Sequence, residues 1–331
     1  MNKRQIQSLK KSAEKGDAKA QFVLGKCYDI GDGLPQNMDE AVKWYRMSAN
    51  QEYAEAQFVL GMCYAEGTGV PRDMFRAVEC YIRAAFQGLK EAMYNLGVCY
   101  YNGDGIAKDA SEAICLVTKA AEKGLAEAQY TLGDCFFQGT DLTQKDKAEA
   151  VKWYRKAAER GLDKAQYRLG RCYAWGDGVR KNRTLAAKWH RKAAEQGFAE
   201  SQFELGKCYR EGLGVPQDTK ESMKWFRKAA GQGHSMSKKI LKQEIDHARI
   251  RAWNEAGQRY CDGDGIPQNM HKAVKYFCKS ANKGNLKALL KLESFAEEGR
   301  DDIEQAIKLF ANKMTYMRCY PIKRNKTTEE N

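Results

Sequence analysis

Eleven cysteines and four histidines are the side chains of this 331-residue chain best able to ligate a metal, exchange disulfides or act as nucleophile and base. Six of the cysteines, Cys27, Cys63, Cys99, Cys135, Cys172 and Cys208, each stand two residues after a glycine that recurs in Leu-Gly pairs. Equivalent positions on stacked helices lie about 8–10 Å apart, and a disulfide requires α-carbons within about 7 Å. The six therefore read as a ladder of small buried hydrophobes that remain thiols. No Cys-x-x-Cys pair occurs, and Cys80, Cys115, Cys261, Cys278 and Cys319 share no repeat position. The histidines His190, His234, His247 and His271 are scattered, and His190 merely replaces the tyrosine found at Tyr45 and Tyr154. There is no Gly-x-Ser-x-Gly elbow, His-Glu-x-x-His helix or phosphate loop. Asp262-Gly263-Asp264-Gly265 lacks the spaced oxygen ligands and the closing glutamate of a calcium loop. These residues predict no catalytic group, no metal and no cofactor.

The elements that carry them repeat every thirty-six residues. Leu24-Gly25, Leu60-Gly61, Leu96-Gly97, Leu132-Gly133, Leu169-Gly170 and Leu205-Gly206 mark the register, and a degenerate copy resumes at Ala256-Gly257. Each unit holds two stretches of helical apolar periodicity. The first, with Ala20, Leu24, Cys27 and Tyr28 on one stripe, stops at a glycine suited to a left-handed cap, Gly31 in the first unit. Loops such as Gly33-Leu34-Pro35 and Gly214-Val215-Pro216 then reverse the chain. Asn37, Asp73, Asp109, Asp146, Asn182, Asp218 and Asn269 occupy one repeat position and predict side-chain N-caps. Glu40, Glu112, Glu149 and Glu221, three residues on, predict capping boxes. The second helices read AVKWYRMSA, AVKWYRKAA, AAKWHRKAA and SMKWFRKAA from Ala41, Ala150, Ala186 and Ser222.

The pattern A-x-A-Q-x-x-L-G-x-C-Y-x-x-G-x-G-V-P-x-D, followed by A-x-x-W-Y-x-x-A-A-x-x-G, resembles the Sel-one-like repeat family, relatives of the tetratricopeptide proteins. The resemblance implies an all-α fold, a right-handed superhelix of antiparallel helix pairs. The expected organisation is a capping helix over 1–16, six repeats over 17–233, a helical insertion over 234–248, degenerate repeats over 249–313 and a flexible polar tail over 314–331. The insertion rests on the repeat glycine due at 242 arriving at Gly257, with Ile240, Leu241, Ile245, Ala248, Ala252, Trp253 and Ala256 keeping a helical stripe. The family's cysteine-rich branch carries paired cysteines that bridge the helices of each unit. This chain departs from that pattern, which argues against the hydrolase activity associated with that branch.

With 56 basic and 43 acidic residues the net charge is +13. Lys152 with Arg155, Lys188 with Arg191, and Lys224 with Arg227 recur on second helices and form a basic ridge. Two readings of it stay open: a solvated face whose stems shield aromatic rings, or a surface that recruits acidic proteins or anionic membrane. No nucleic-acid reader motif accompanies it. Without a secretory segment or eighteen consecutive apolar residues, a cytoplasmic location is expected. The resemblance implies that first helices build a concave surface, where residues that break the repeat are the candidates for contact. At the fourth and fifth positions after the repeat glycine these are Tyr101, Phe137, Trp175 and Arg210. Leu116-Val117 replaces Trp-Tyr in the third unit and Gly139-Thr140-Asp141-Leu142 replaces Gly-x-Gly-Val in the fourth, and a bend in the solenoid is expected there. The expected function is a scaffold or adaptor without enzymatic activity that binds a protein or peptide, with the ridge as the alternative; the oligomeric state is left open.

Overall fold

The computed structural model describes residues 1–140, 143–297 and 305. Asp141 and Leu142, the end of the expected degenerate repeats and the tail expected over 314–331 lie outside these residues. The chain forms two compact units, Met1–Ala229 and Ala230–Asn331. Among the described residues every regular element is a helix.

The first unit opens with α1 (Lys3–Glu14) and continues as six antiparallel pairs: α2 (Ala18–Ile30) with α3 (Met38–Ala49), α4 (Ala54–Glu66) with α5 (Met74–Phe86), α6 (Lys90–Asn102) with α7 (Ala110–Glu122), α8 (Ala126–Gln138) with α9 (Lys147–Glu159), α10 (Asp163–Trp175) with α11 (Arg183–Glu195), and α12 (Ala199–Glu211) with α13 (Thr219–Gly231). Successive pairs of this unit stack, as in an α-solenoid, because α3, α5, α7, α9 and α11 each pack also on the first helix of the next pair. Gly31, Gly67, Gly103, Gly176 and Gly212 end first helices in the left-handed conformation. The next helix restarts where Asn37, Asp73, Asp109, Asp146, Asn182 and Asp218 accept a hydrogen bond from the amide three residues on, at 2.9–3.1 Å.

The expected capping boxes do not close. Each cap residue's own amide already donates to a carbonyl near the end of the first helix, Asn37 to Tyr28, Asp73 to Tyr64 and Asp146 to Phe136, at 2.8–2.9 Å. With that donor committed, Glu40, Glu149 and Glu221 pair instead with Lys43, Lys152 and Lys224 at 3.5, 2.7 and 3.3 Å.

In every pair but the third, where Val117 stands in its place, the core is an aromatic ring laid over the repeat glycine. A β-carbon at Gly25, Gly61, Gly133 or Gly206 would lie 2.7 Å from a ring carbon of Tyr45, Tyr81, Tyr154 or Phe226. Between pairs, buried glutamines staple first helices to the end of the preceding second helix, except in the third unit, where Met93 takes the position. Gln129, Gln166 and Gln202 donate to the carbonyls of Ala121, Ala158 and Ala194 at 2.9, 3.1 and 3.2 Å. The Gln196 amide then donates to Gln166 Oε1 at 2.8 Å. The Gly-x-Gly loops are a third inter-repeat contact. A β-carbon at Gly178 or Gly214 would meet the carbonyl oxygen of Lys147 or Arg183 at 2.0 or 2.1 Å, so only glycine permits that approach. The six ladder cysteines are thiols. Five are buried and Cys135 is half-buried, and burial raises Cys63, Cys172 and Cys208 to about 11.

The second unit contains α14 (Ser235–Asp262), α15 (Met270–Ala281) and α16 (Leu286–Glu297). One uninterrupted helix of 28 residues thus runs through the segment read as an insertion and on through the degenerate repeat's first helix. Its C-terminal half repeats the pair geometry, with Gly257 beneath Phe277 and the Ser280 hydroxyl donating to the Ile250 carbonyl at 3.2 Å. Val274, Phe277, Cys278, Leu292 and Phe295 form the core. Further toward its N-terminus the apolar stripe is open, with Ile245 58% exposed.

Candidate protein-binding surface

The first helices end in short turns whose outermost residues differ from unit to unit, and there the structure separates the expected contact residues. Tyr101, in the last turn of α6, is 62% exposed, and its ring stands 5.5 Å from Lys108 Nζ. Trp175, the last residue of α10, is 70% exposed. Phe137 differs: it is half-buried, its ring centroid lies 6.2 Å from that of Tyr154, and Lys147 Nζ covers it at 5.3 Å. Arg210 is tied to its neighbours, paired with Glu211 at 3.1 Å and 5.6 Å from the Phe226 ring. Ile30, the first-unit counterpart of Trp175, is 68% exposed. Its side chain was visible in the same sequence column, but an isolated aliphatic there carries no aromatic signal.

Two hollows adjoin these residues. The larger, of about 540 Å³, is lined by Tyr101, Gly97 and Val117 of the third unit and by Thr131 and Asp134 of α8. Here Val117 occupies the place of the ring, touching the glycine's side of the pair without covering the space a ring would fill. The smaller, of about 190 Å³, is lined by Trp175, His190, Glu204 and Lys207. His190 is buried, its ring centroid is 5.8 Å from that of Tyr167, and its Nδ1 has no hydrogen-bond partner. Burial above all, then the nearby Lys207 and Arg171 charges, lowers its pKa to about 3.

The ridge residues divide into two groups. Arg155 and Arg191 donate to the hydroxyls of Tyr173 and Tyr209 in the following unit, at 2.9 and 2.6 Å. Lys152, Lys224, Lys188 and Arg227 are exposed, the first two also engaged in the glutamate pairs already described. Beside them Lys156, Lys192 and Lys228 lie over Trp153, Trp189 and Trp225 at 3.8, 4.3 and 4.3 Å, covering the indoles with their stems. A second exposed surface went unread in the sequence. On α5, Phe75, Ile82 and Phe86 are 76, 42 and 93% exposed. Its signal was Phe86 at the position filled by Asn50, Glu122, Glu159 and Glu195 in other units. Among the described residues no His, Cys, Asp or Glu cluster could hold a metal ion, and no helix is long and apolar enough to cross a membrane.

Seven stretches match the Sel1 repeat: residues 18–53, 54–89, 90–125, 126–162, 163–198, 199–234 and 254–285. The fold is similar to that of c5321, a protective antigen present in uropathogenic Escherichia coli strains displaying an SLR fold, at 33% identity and a TM-score of 0.66. That match covers 93% of this chain and 71% of the other. A Sel1 repeat protein from Oxalobacter formigenes is also 33% identical, with a TM-score of 0.58 over 65% of this chain and 85% of its own. No curated protein matches the chain. Seven copies of one motif, each folded as a helix pair with its ring over its glycine or, in the third, a valine in the ring's place, make this chain a member of the Sel1 repeat family.

Proposed function

We propose that the protein is a cytoplasmic scaffold or adaptor without enzymatic activity, and that it holds a protein or peptide along the exposed ends of its first helices. The observation that carries this reading is the exposure of Tyr101 and Trp175, at 62 and 70%, on elements whose other aromatics are packed. Large rings left in water on a rigid scaffold lose little further entropy on contact and are the usual anchors of protein interfaces. Phe137, packed on Tyr154, contributes to support rather than to contact.

Affinity capture from the source cell, followed by quantitative binding, tests the proposal. Tyr101→Ala and Trp175→Ala should leave helical circular dichroism and melting unchanged. At least one should weaken binding by about 2 kcal/mol or more. Equal losses of stability and binding would defeat the proposal. The ridge reading is tested by salt. Binding through Lys188 and Arg227 weakens steeply from low to moderate ionic strength, whereas contact through the exposed rings weakens little.

A further inference from the structure

Six of the seven pairs place a ring over the repeat glycine: Tyr45, Tyr81, Tyr154, His190, Phe226 and Phe277. The third pair has Val117, which keeps the contact with Gly97, its Cγ2 lying 3.1 Å from where a β-carbon would stand. Its side chain ends a ring's length short of the others, and the hollow of about 540 Å³ opens there. Val98, Ala113, Ile114 and Val117 give it apolar walls, and Thr131 and Asp134, with Lys108, Gln138 and Thr140, add polar groups. In the first and fourth units the far end of the ring is a phenol donating to a carboxylate, Tyr45 to Asp29 and Tyr154 to Asp134. Asp134 is the same carboxylate that lines the hollow. It holds Tyr154 and Arg168, and a carboxylate's roughly four acceptor sites leave capacity for another donor.

We propose that this hollow is a side-chain pocket for a tyrosine of a bound peptide, which supplies in trans the ring that the third repeat lacks. The occupant follows from the molecule's own template: the ring position is filled by an aromatic side chain in every other pair, and in two of them the phenol reaches a carboxylate on its own pair's first helix; the third pair has Val98 and Tyr101 at those positions, and the carboxylate within its hollow is Asp134 of the next pair. Phenylalanine would leave the Asp134 acceptor unused, and leucine would leave the slot partly empty. Tyr101 and Lys108 line the same opening, so the pocket adjoins one of the proposed anchors. The inference rests on the peptide-binding reading above and names the chemistry of that partner.

The test uses N-acetyl-tyrosinamide with the full chain, followed by amide chemical shifts. The expected result is saturable shifts at Gly97, Val98, Thr131 and Asp134, with a dissociation constant of about 1 mM, as suits a ligand of this size. N-acetyl-leucinamide should bind at least tenfold more weakly. Val117→Tyr, which restores the ring found in neighbouring pairs, should melt no lower than the parent and lose the tyrosinamide shifts, whereas Val117→Ala should keep them. Absence of shifts in the parent at 20-fold the expected constant would overturn the pocket, and so would equal binding of the leucine amide or undiminished binding by folded Val117→Tyr. The parent titration decides the matter even where a variant fails to fold. A captured partner lost by Trp175→Ala yet held equally by Val117→Tyr would overturn the pocket alone and leave the peptide-binding surface standing.

Discussion

Among the described residues Glu52 is the non-glycine residue with a left-handed backbone, at φ 62°, where later units place Gly88, Gly124, Gly161, Gly197, Gly233 and Gly284. A β-carbon in that conformation costs about 1–2 kcal/mol, so Glu52→Gly should raise the urea midpoint by an equivalent of about 1 kcal/mol with an unchanged slope. His190 makes the opposite kind of demand. Held neutral in the fold with a pKa of about 3, against an ordinary value of 6.5, it binds fewer protons folded than unfolded between those limits. Its contribution is therefore complete above pH 6.5 and falls as the solution is acidified, by up to about 1.4 kcal/mol per pH unit. His190→Phe, copying Phe226 of the next pair, should flatten this acid dependence. Denaturant melts at pH 7.5 and 5 would show the gap between parent and variant widening at the lower pH; a constant gap would refute it.

At the scale of the element, helix pairs are joined by side-chain bonds between pairs as well as capped by their own residues. The Gln166 amide caps the Ala158 carbonyl and accepts from Gln196, three groups satisfied in one buried site. Gln166→Met, the residue that Met93 supplies in the third unit, should fit but leave those groups unpaired, costing about 1–3 kcal/mol. The expected signature is faster amide exchange from 194 to 198 as well as a lower melting point. Helix pairs, left-handed glycines and N-cap residues were legible in the sequence because each recurs from unit to unit, so chance matches average away. The closing half of the capping box was not legible, because the amide's actual partner is a carbonyl on the preceding helix, as from Asn37 to Tyr28. Nor could the sequence sort Tyr101 from Phe137: both are repeat-breaking aromatics in one column, and the neighbouring Tyr154 ring and Lys147 chain decide which one packs. The third-unit hollow was legible only as Leu116-Val117 in place of Trp-Tyr, a gap in a pattern whose volume no spacing reveals.

On the scale of the whole molecule, two units with separate cores and helix contacts concentrated between chain neighbours mean that stability is distributed along the chain rather than pooled. Local opening of one pair then need not open the rest. The cysteine ladder gives this property a readout, because each pair of the first unit carries one ladder thiol, buried in all but Cys135, with half-buried Cys80 and Cys115 as additional thiols in the second and third pairs. Burial suppresses the thiolate at Cys63, Cys172 and Cys208, so alkylation there waits for its own pair to open. Pulse labelling under native conditions, read peptide by peptide, should modify half-buried Cys135 first and Cys63, Cys172 and Cys208 much later; simultaneous labelling of all four would show a single cooperative block instead. A row of residues with no evident chemistry of its own is thereby a set of gauges, one to a repeat, from which the free-energy profile of the molecule can be taken without adding a single foreign atom beforehand.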